Sequence, residues 1–195
     1  MERHLTIVVP GTGWEKWSST YDLEAPPMKK VARTFGAVPV LFTHWGGENS
    51  RAARQRAASE LAEFIRLEFQ NHRKTTGDKL NIVGFSHGGN VAALATQFLA
   101  AQVDNLVTIA TPVMPGYHPG AVGNHIHIYN PHDTTQVWGG ERFTLPGLGT
   151  IGPAGRVFPH AANSEVAIPN GNRHQRHGNL LWDDRTWNQI KAHLR

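Results

Sequence analysis

Short apolar runs alternate with helix-period segments along this chain, and that alternation leaves few ways to fold. Residues 5–9, 38–43, 80–85, 105–110 and 126–129 are apolar, and several run into turn residues such as Pro10-Gly11, Thr111-Pro112 and Asn130-Pro131. Residues 51–73 carry Leu61, Phe64, Ile65 and Phe69 along one helical face, with Asn49-Ser50 placed to cap the start and Gly77 beyond the end. Residues 87–101 read as an alanine-rich helix, 165–168 as a short sixth strand, and 183–194 as a closing helix with Trp187, Ile190 and Leu194 on one side. Residues 141–155 are dense in Gly and Pro and read as a loop. Strands separated by helices pair in parallel and are covered on both sides. The expected fold class is α/β: a mostly parallel central sheet of about six strands with helices on both faces. The length of 195 residues fits one domain spanning residues 1–195.

Composition removes several classes of function. There is no cysteine, so a cysteine nucleophile, a thiolate zinc site and a disulfide scaffold are excluded. A formal charge of +4 is no signature of nucleic-acid binding, and none is expected. The basic cluster Arg51, Arg54 and Arg56 reads as a solvated helix face. No apolar run approaches the ~20 residues that a membrane helix needs. The first apolar run is too short for a signal-peptide core, and no small-residue cleavage site follows it. The protein is therefore expected to be cytoplasmic, or exported by a non-Sec route.

One junction carries chemistry. In Leu80-Asn81-Ile82-Val83-Gly84-Phe85-Ser86-His87-Gly88-Gly89-Asn90 an apolar strand runs into Gly-x-Ser-x-Gly and directly on into a helix-forming stretch. That is the strand–turn–helix setting of a nucleophile elbow, in which a tight turn holds a serine hydroxyl above the sheet. Gly84 and Gly88 flank Ser86 because a Cβ at either place would meet neighbouring backbone. The plainer reading is a passive serine in a glycine-rich corner.

A serine nucleophile needs a base, and the base needs an acid to orient it. With an elbow of this kind the chain order is Ser, then Asp or Glu, then His. Asp133 follows the 126–129 strand and can reach the crevice beyond the strand ends. Asp104 precedes a strand and so belongs to the wrong edge, while Glu141 and Glu165 are downstream competitors. His177 lies between the last strand and the final helix, in an expected loop, with His174 and His160 as rivals. The oxyanion hole should take one backbone amide from His87 and one from the loop Pro10-Gly11-Thr12-Gly13-Trp14, best supplied by Thr12. That loop lacks the ending of a P-loop and the full dinucleotide-binding spacing, so nucleotide binding is rejected. Gly13, Trp14, Trp45 and Trp138 are candidates for lining a substrate pocket. Trp17 joins them in the loops, and packing is the alternative role for all the tryptophans.

These segments together resemble the serine α/β-hydrolases, in particular small bacterial lipase/esterase-like members. Pro10-Gly11-Thr12-Gly13-Trp14 is similar to the family's oxyanion loop, and Gly84-Phe85-Ser86-His87-Gly88-Gly89-Asn90 to its elbow. Trp45-Gly46-Gly47-Glu48-Asn49-Ser50 with Arg54 resembles a helix-opening segment of some members, and Val107-Thr108-Ile109-Ala110-Thr111-Pro112 a strand ending in Gly-Thr-Pro. Asn130-Pro131-His132-Asp133 with Gln136-Val137 resembles the acid loop, and His177-Gly178-Asn179-Leu180 the base loop. Pro10 and Phe85 stand where relatives often have His. The resemblance implies a minimal α/β-hydrolase fold that begins at the family's third strand and lacks a large cap. It also implies an esterase or lipase that works through Ser86, Asp133 and His177 and an acyl-enzyme. Such an enzyme would need no metal and no cofactor, and would act on an ester or lipid substrate, with peripheral contact to lipid.

Three other readings stand beside this one. A phospholipase-type effector of bacteria falls within the same resemblance. A metal-dependent hydrolase would use His125, His127, His132 and Asp133, since His125-Ile126-His127 puts two imidazoles on one strand face. A non-catalytic binding protein on a hydrolase fold would keep the architecture without turnover.

Overall fold

The computed structural model describes residues 4–72, 77–100, 103–139, 143–145, 149–151 and 153–194. In chain order the elements are β1 (His4–Val9), a 3-10 helix (Trp14–Tyr21), α1 (Pro26–Phe35), β2 (Val40–Leu41), α2 (Arg51–His72), β3 (Lys79–Phe85), α3 (His87–Gln97) and β4 (Val103–Ile109). There follow β5 (Val122–Tyr129), α4 (Thr134–Trp138), β6 (Phe143–Leu145), β7 (Gly149–Ile151), β8 (Ala162–Glu165), α5 (Arg173–Gly178), a 3-10 turn (Asn179–Leu181) and α6 (Asp184–His193). Six strands form the central sheet in the order β2-β1-β3-β4-β5-β8, all parallel, and β6 and β7 pair antiparallel on their own. The α/β fold with a six-stranded parallel sheet is as expected. Among the described residues, no helix is long and apolar enough to cross a membrane.

Strand alternation divides the core in two. Ile7, Val9, Leu80, Ile82 and Leu106 face α2 and α3, packing on Leu61, Ile65 and Val91. Val8, Val83, Val107, Ile109, Ile126 and Ile128 face the other way, against Met28, Val31 and Phe35 of α1 and Trp187 and Ile190 of α6. The strand order reverses direction at β1/β3. Crossovers leave that point in opposite directions and open a crevice beyond the strand ends. The loop after β1 and the elbow after β3 therefore sit side by side.

Several elements depart from expectation. The 38–43 run pairs over two residues only, because Pro39 cannot donate to a ladder and Val38 and Val40 lie exposed at the edge of the sheet. The sixth strand lies at Ala162–Glu165, ahead of 165–168. Its ladder ends at Tyr129↔Glu165, and Ile168 is held by the side chain of Asn130 instead. The 141–155 stretch contains the β6–β7 hairpin, while residues 140–142, 146–148 and 152 lie outside the described residues. The expected Arg51–Arg54–Arg56 solvated face is broken by Arg54, which is fully buried. Its Nε donates to Tyr117 Oη (3.1 Å) and its Nη1 to Asn49 Oδ1 (2.9 Å). Helix α1 was not anticipated, although Pro26-Pro27 preset its first turn and Gly36 (φ 68°) closes it.

Candidate active site

The elbow is built by steric exclusion. Ser86 sits between β3 and α3 at φ 53° and ψ −130°, a conformation that costs a non-glycine residue about 1–3 kcal/mol. Its amide donates to Ile109 O (2.8 Å), which fastens the turn to β4. A Cβ on Gly88 would stand 2.2 Å from Val9 O and 2.4 Å from Pro10 O. On Gly84 it would stand 2.4 Å from Gly89 Cα. Both flanking glycines thus answer to fixed backbone, as the motif requires. A Cβ on Gly11 would stand 2.9 Å from Ser86 Cβ, so the loop after β1 runs against the serine.

That loop is braced from behind. Gly13 N donates to Gly47 O (3.2 Å), the Trp45 indole to Pro10 O (3.0 Å) and the Trp14 indole to Trp45 O (2.9 Å). Gly11 N faces the buried Tyr21 hydroxyl at 3.5 Å. The Thr12 amide is left without an acceptor among the described residues. His87 opens α3, so its amide has no intrahelical acceptor and lies at the positive end of the helix dipole. The His87 imidazole is buried. Its Nε2–H donates to Gly139 O (2.8 Å) and its Nδ1 accepts from Asn90 Nδ2 (3.2 Å). Burial, aided by the nearby Arg54 charge, pushes its pKa down to about 4, so the ring is neutral.

Asp133 and His177 meet although 44 residues separate them. Asp133 is fully buried at the start of α4. Its Oδ1 accepts from Gln136 N (3.0 Å) and its Oδ2 from His177 Nδ1 (2.6 Å). His177 is on the short helix α5 and not in the expected loop. Asn172 and Gln175 start this helix with reciprocal side-chain caps. The His177 ring packs 5.0 Å from the ring of Phe85, the residue before Ser86. With Nδ1–H given to Asp133, the free lone pair is on Nε2.

The rivals lie elsewhere. His174 is exposed and accepts from its neighbour Arg173, and His160 is exposed. Asp104 lies at the opposite sheet edge, accepting from Leu80 N. Glu165 is exposed and accepts from Tyr129 Oη, while Glu141 lies outside the described residues. Trp45 is buried in the core, Trp14 is half-buried and Trp138 is 63% exposed. The side chain of Trp17 lies outside the described residues. His125 and His127 form a buried chain: His125 Nε2–H donates to Thr108 Oγ1 (3.0 Å), Thr108 donates to His127 Nδ1 (2.8 Å), and His127 Nε2–H donates to Arg156 O (2.8 Å). His132 is exposed. Among the described residues, no three His, Asp or Glu side chains form a group able to hold a metal ion. Residues not proposed as site candidates from sequence also surround these groups: Tyr21 and Gly47 behind the loop after β1, Asn90 under His87, and Asn130 and Arg156 around Asp133. Gly47, Asn90 and Asn130 carry a signal by standing inside the quoted motifs, whereas Tyr21 and Arg156 carry none.

Known proteins place this geometry in context. No curated protein matches the chain in sequence. Among solved structures, a protein of the alpha/beta superfamily from Xanthomonas campestris pv. campestris is similar over 98% of this chain and 97% of its own, at 12% identity and a TM-score of 0.58. The NocB thioesterase domain, in covalent complex with a fluorophosphonate nocardicin G analog, is similar over 100% and 96%, at 16% identity and a TM-score of 0.55. The lidless a/b serine hydrolase XC6422 from Xanthomonas campestris is similar over 100% and 84%, at 16% identity and a TM-score of 0.50. At these identities the likeness is one of fold. The family model for the alpha/beta hydrolase fold matches residues 46–194, the stretch that holds Ser86, Asp133 and His177, and the chain belongs to that family.

Proposed function

We propose that this protein is a serine hydrolase that cleaves carboxylic esters through an acyl-enzyme. Ser86 Oγ attacks the ester carbonyl as its proton passes to His177 Nε2. Asp133 holds the imidazole in the working tautomer and stabilises the imidazolium. The amides of Thr12 and His87 donate to the tetrahedral oxyanion, each worth about 3 kcal/mol at the transition state. Collapse of the intermediate expels the alcohol, which takes the proton from His177. Water then attacks the acyl-enzyme with His177 again as base, releasing the acid and restoring Ser86.

The observation that carries this reading is the 2.6 Å bond between buried Asp133 and His177 at the strand-end rim that also holds the strained serine. A buried carboxylate in a purely structural role has no need of an imidazole packed on the residue beside the elbow. Gly13 and Trp14 belong to the loop that carries the Thr12 amide, and Trp138 stands exposed at the end of the helix that Asp133 caps, positions from which they can contact an acyl group.

The test is labelling by a fluorophosphonate probe together with turnover of p-nitrophenyl esters of rising chain length. A phospholipid and an amide run alongside, so that a phospholipase shows itself by its preferred substrate. Labelling and hydrolysis are expected in the wild type and should vanish in Ser86→Ala. Unchanged hydrolysis by Ser86→Ala would falsify the mechanism, and no labelling or turnover in the wild type would point to a binding protein.

A further inference from the structure

Asn130 is fully buried, and its side chain makes every hydrogen bond an amide can offer in this setting. Oδ1 accepts from His132 N (3.1 Å) and Ile168 N (3.1 Å), and Nδ2 donates to Ile168 O (3.2 Å) and Arg176 O (2.9 Å). The backbone carbonyl of Asn130 also accepts from Asp133 N (3.0 Å) and from Arg156 Nη1 (3.3 Å). One residue therefore joins three segments: the loop that carries Asp133, the extended chain after β8, and the helix that carries His177.

The base helix needs such a fixture. It is six residues long, too short to hold itself in place by its own hydrogen bonds. Its own capping box sets its first turn but not its position relative to Asp133. Arg176, whose carbonyl receives the Asn130 amide, directly precedes His177. A second bond, from Thr135 Oγ1 on α4 to Arg173 O (3.2 Å), anchors the opposite end of the helix.

We propose that Asn130 is a positioning residue for the catalytic pair, fixing α5 against the acid loop so that His177 Nδ1 meets Asp133 Oδ2 in register. The proposal rests on the triad reading above. Without the Nδ2 bond to Arg176 O the base helix is free to drift, and a misplacement of about 1 Å is enough to cost about 10²-fold in rate.

The experiment compares Asn130→Ala with Asn105→Ala. Asn105 is a buried amide at the far end of the sheet, donating to Asn81 Oδ1 (2.8 Å) and accepting from Asn124 (3.4 Å). It serves as the control for lost stability without lost register. Asn130→Ala should lower kcat about 10²-fold with KM unchanged, and should shift the downfield proton resonance of the His177 Nδ1–H bond. Asn105→Ala should leave kcat and that resonance as in the wild type while lowering Tm. Asn130→Asp keeps the shape and both acceptor bonds but loses both donor bonds. It gives the same readouts if the alanine variant cannot be purified. An unmoved resonance, an unchanged kcat, or an equal loss of kcat in Asn105→Ala overturns the proposal. The resonance judges Asn130 even if turnover survives in Ser86→Ala, so the two claims fail separately.

Discussion

Gly88→Ala tests the steric logic of the elbow directly. The added methyl would stand 2.2 Å from Val9 O, 2.4 Å from Pro10 O and 2.8 Å from Pro10 C, all of them backbone atoms. A carbon settles against a carbonyl oxygen at about 3.3 Å, so α3 and the end of β1 must separate by about 1 Å. Neither partner is free to yield. The Trp45 indole pins Pro10 O, and Val9 pairs with Gly84 inside the sheet. Overpacking of this kind costs about 1–3 kcal/mol, and 2 kcal/mol lowers the Tm of a domain of this size by about 4–8 °C.

The catalytic loss should exceed the loss in stability. The separation falls between Ser86 and the Thr12 amide, the two parts that must close on one carbonyl. A 1 Å error there costs about 10²-fold in kcat/KM, or about 2.7 kcal/mol. Ester hydrolysis and thermal unfolding are measured side by side with Gly178→Ala, whose methyl meets nothing within 4 Å and whose φ of −70° suits alanine. That control should be stabilised by about 0.4–1 kcal/mol. A Gly88→Ala protein with wild-type kcat/KM and Tm would refute the reasoning, because the loop and the elbow would then not be in the contact on which the oxyanion assignment depends.

Two further outcomes are expected. Asp133→Asn should lower kcat about 10³–10⁴-fold with little change in KM, since an amide facing His177 favours the wrong tautomer, and a loss under tenfold in single-turnover assays would argue against Asp133 as the acid. Stability should fall with acid. Burial holds His87 and His125 down to about 4 and His127 down to about 3, against an ordinary value of 6.5. Above that value neither state binds these protons. Below it the unfolded chain takes them up and the native state does not, so each group removes up to about 1.4 kcal/mol per pH unit until its folded value is reached. Urea midpoints that stay flat from pH 6.5 to 4.5 would contradict this picture.

What could be read from the sequence was whatever local sterics decide. The Gly-x-Ser-x-Gly corner is legible because its glycines answer to backbone within a few residues or on the adjacent strand. The sheet is legible because its strands alternate between two apolar faces. Helix α1 is less legible, because its sequence signal is only Pro26-Pro27 at the first turn and the short apolar face of Met28, Val31 and Phe35. The mismatch at 165–168 has another cause: Val166 and Ile168 are apolar because they pack into the core face that α1 and α6 cover, so the apolar run continues past the end of the ladder.

The proposed base is harder to place from sequence for a reason that lies in the bonds themselves. His177 has no local pattern to separate it from His174, three residues earlier and on the same short helix. What separates them is contact with Asp133, 44 residues back, and a helix position set by Asn130, 46 residues before Arg176. Such bonds leave no periodicity, because each joins single polar atoms whose partners are chosen by the tertiary fold. The chain order Ser, acid, His supplied the link that periodicity could not. It works because parallel strands deliver successive loops to one rim, so candidates can be ranked by which strand end they follow. That same rule rejects Asp104, whose carboxylate lies at the other end of β4 against Leu80 N. Topology thus narrows the choice to a rim, and within the rim the buried hydrogen bonds decide.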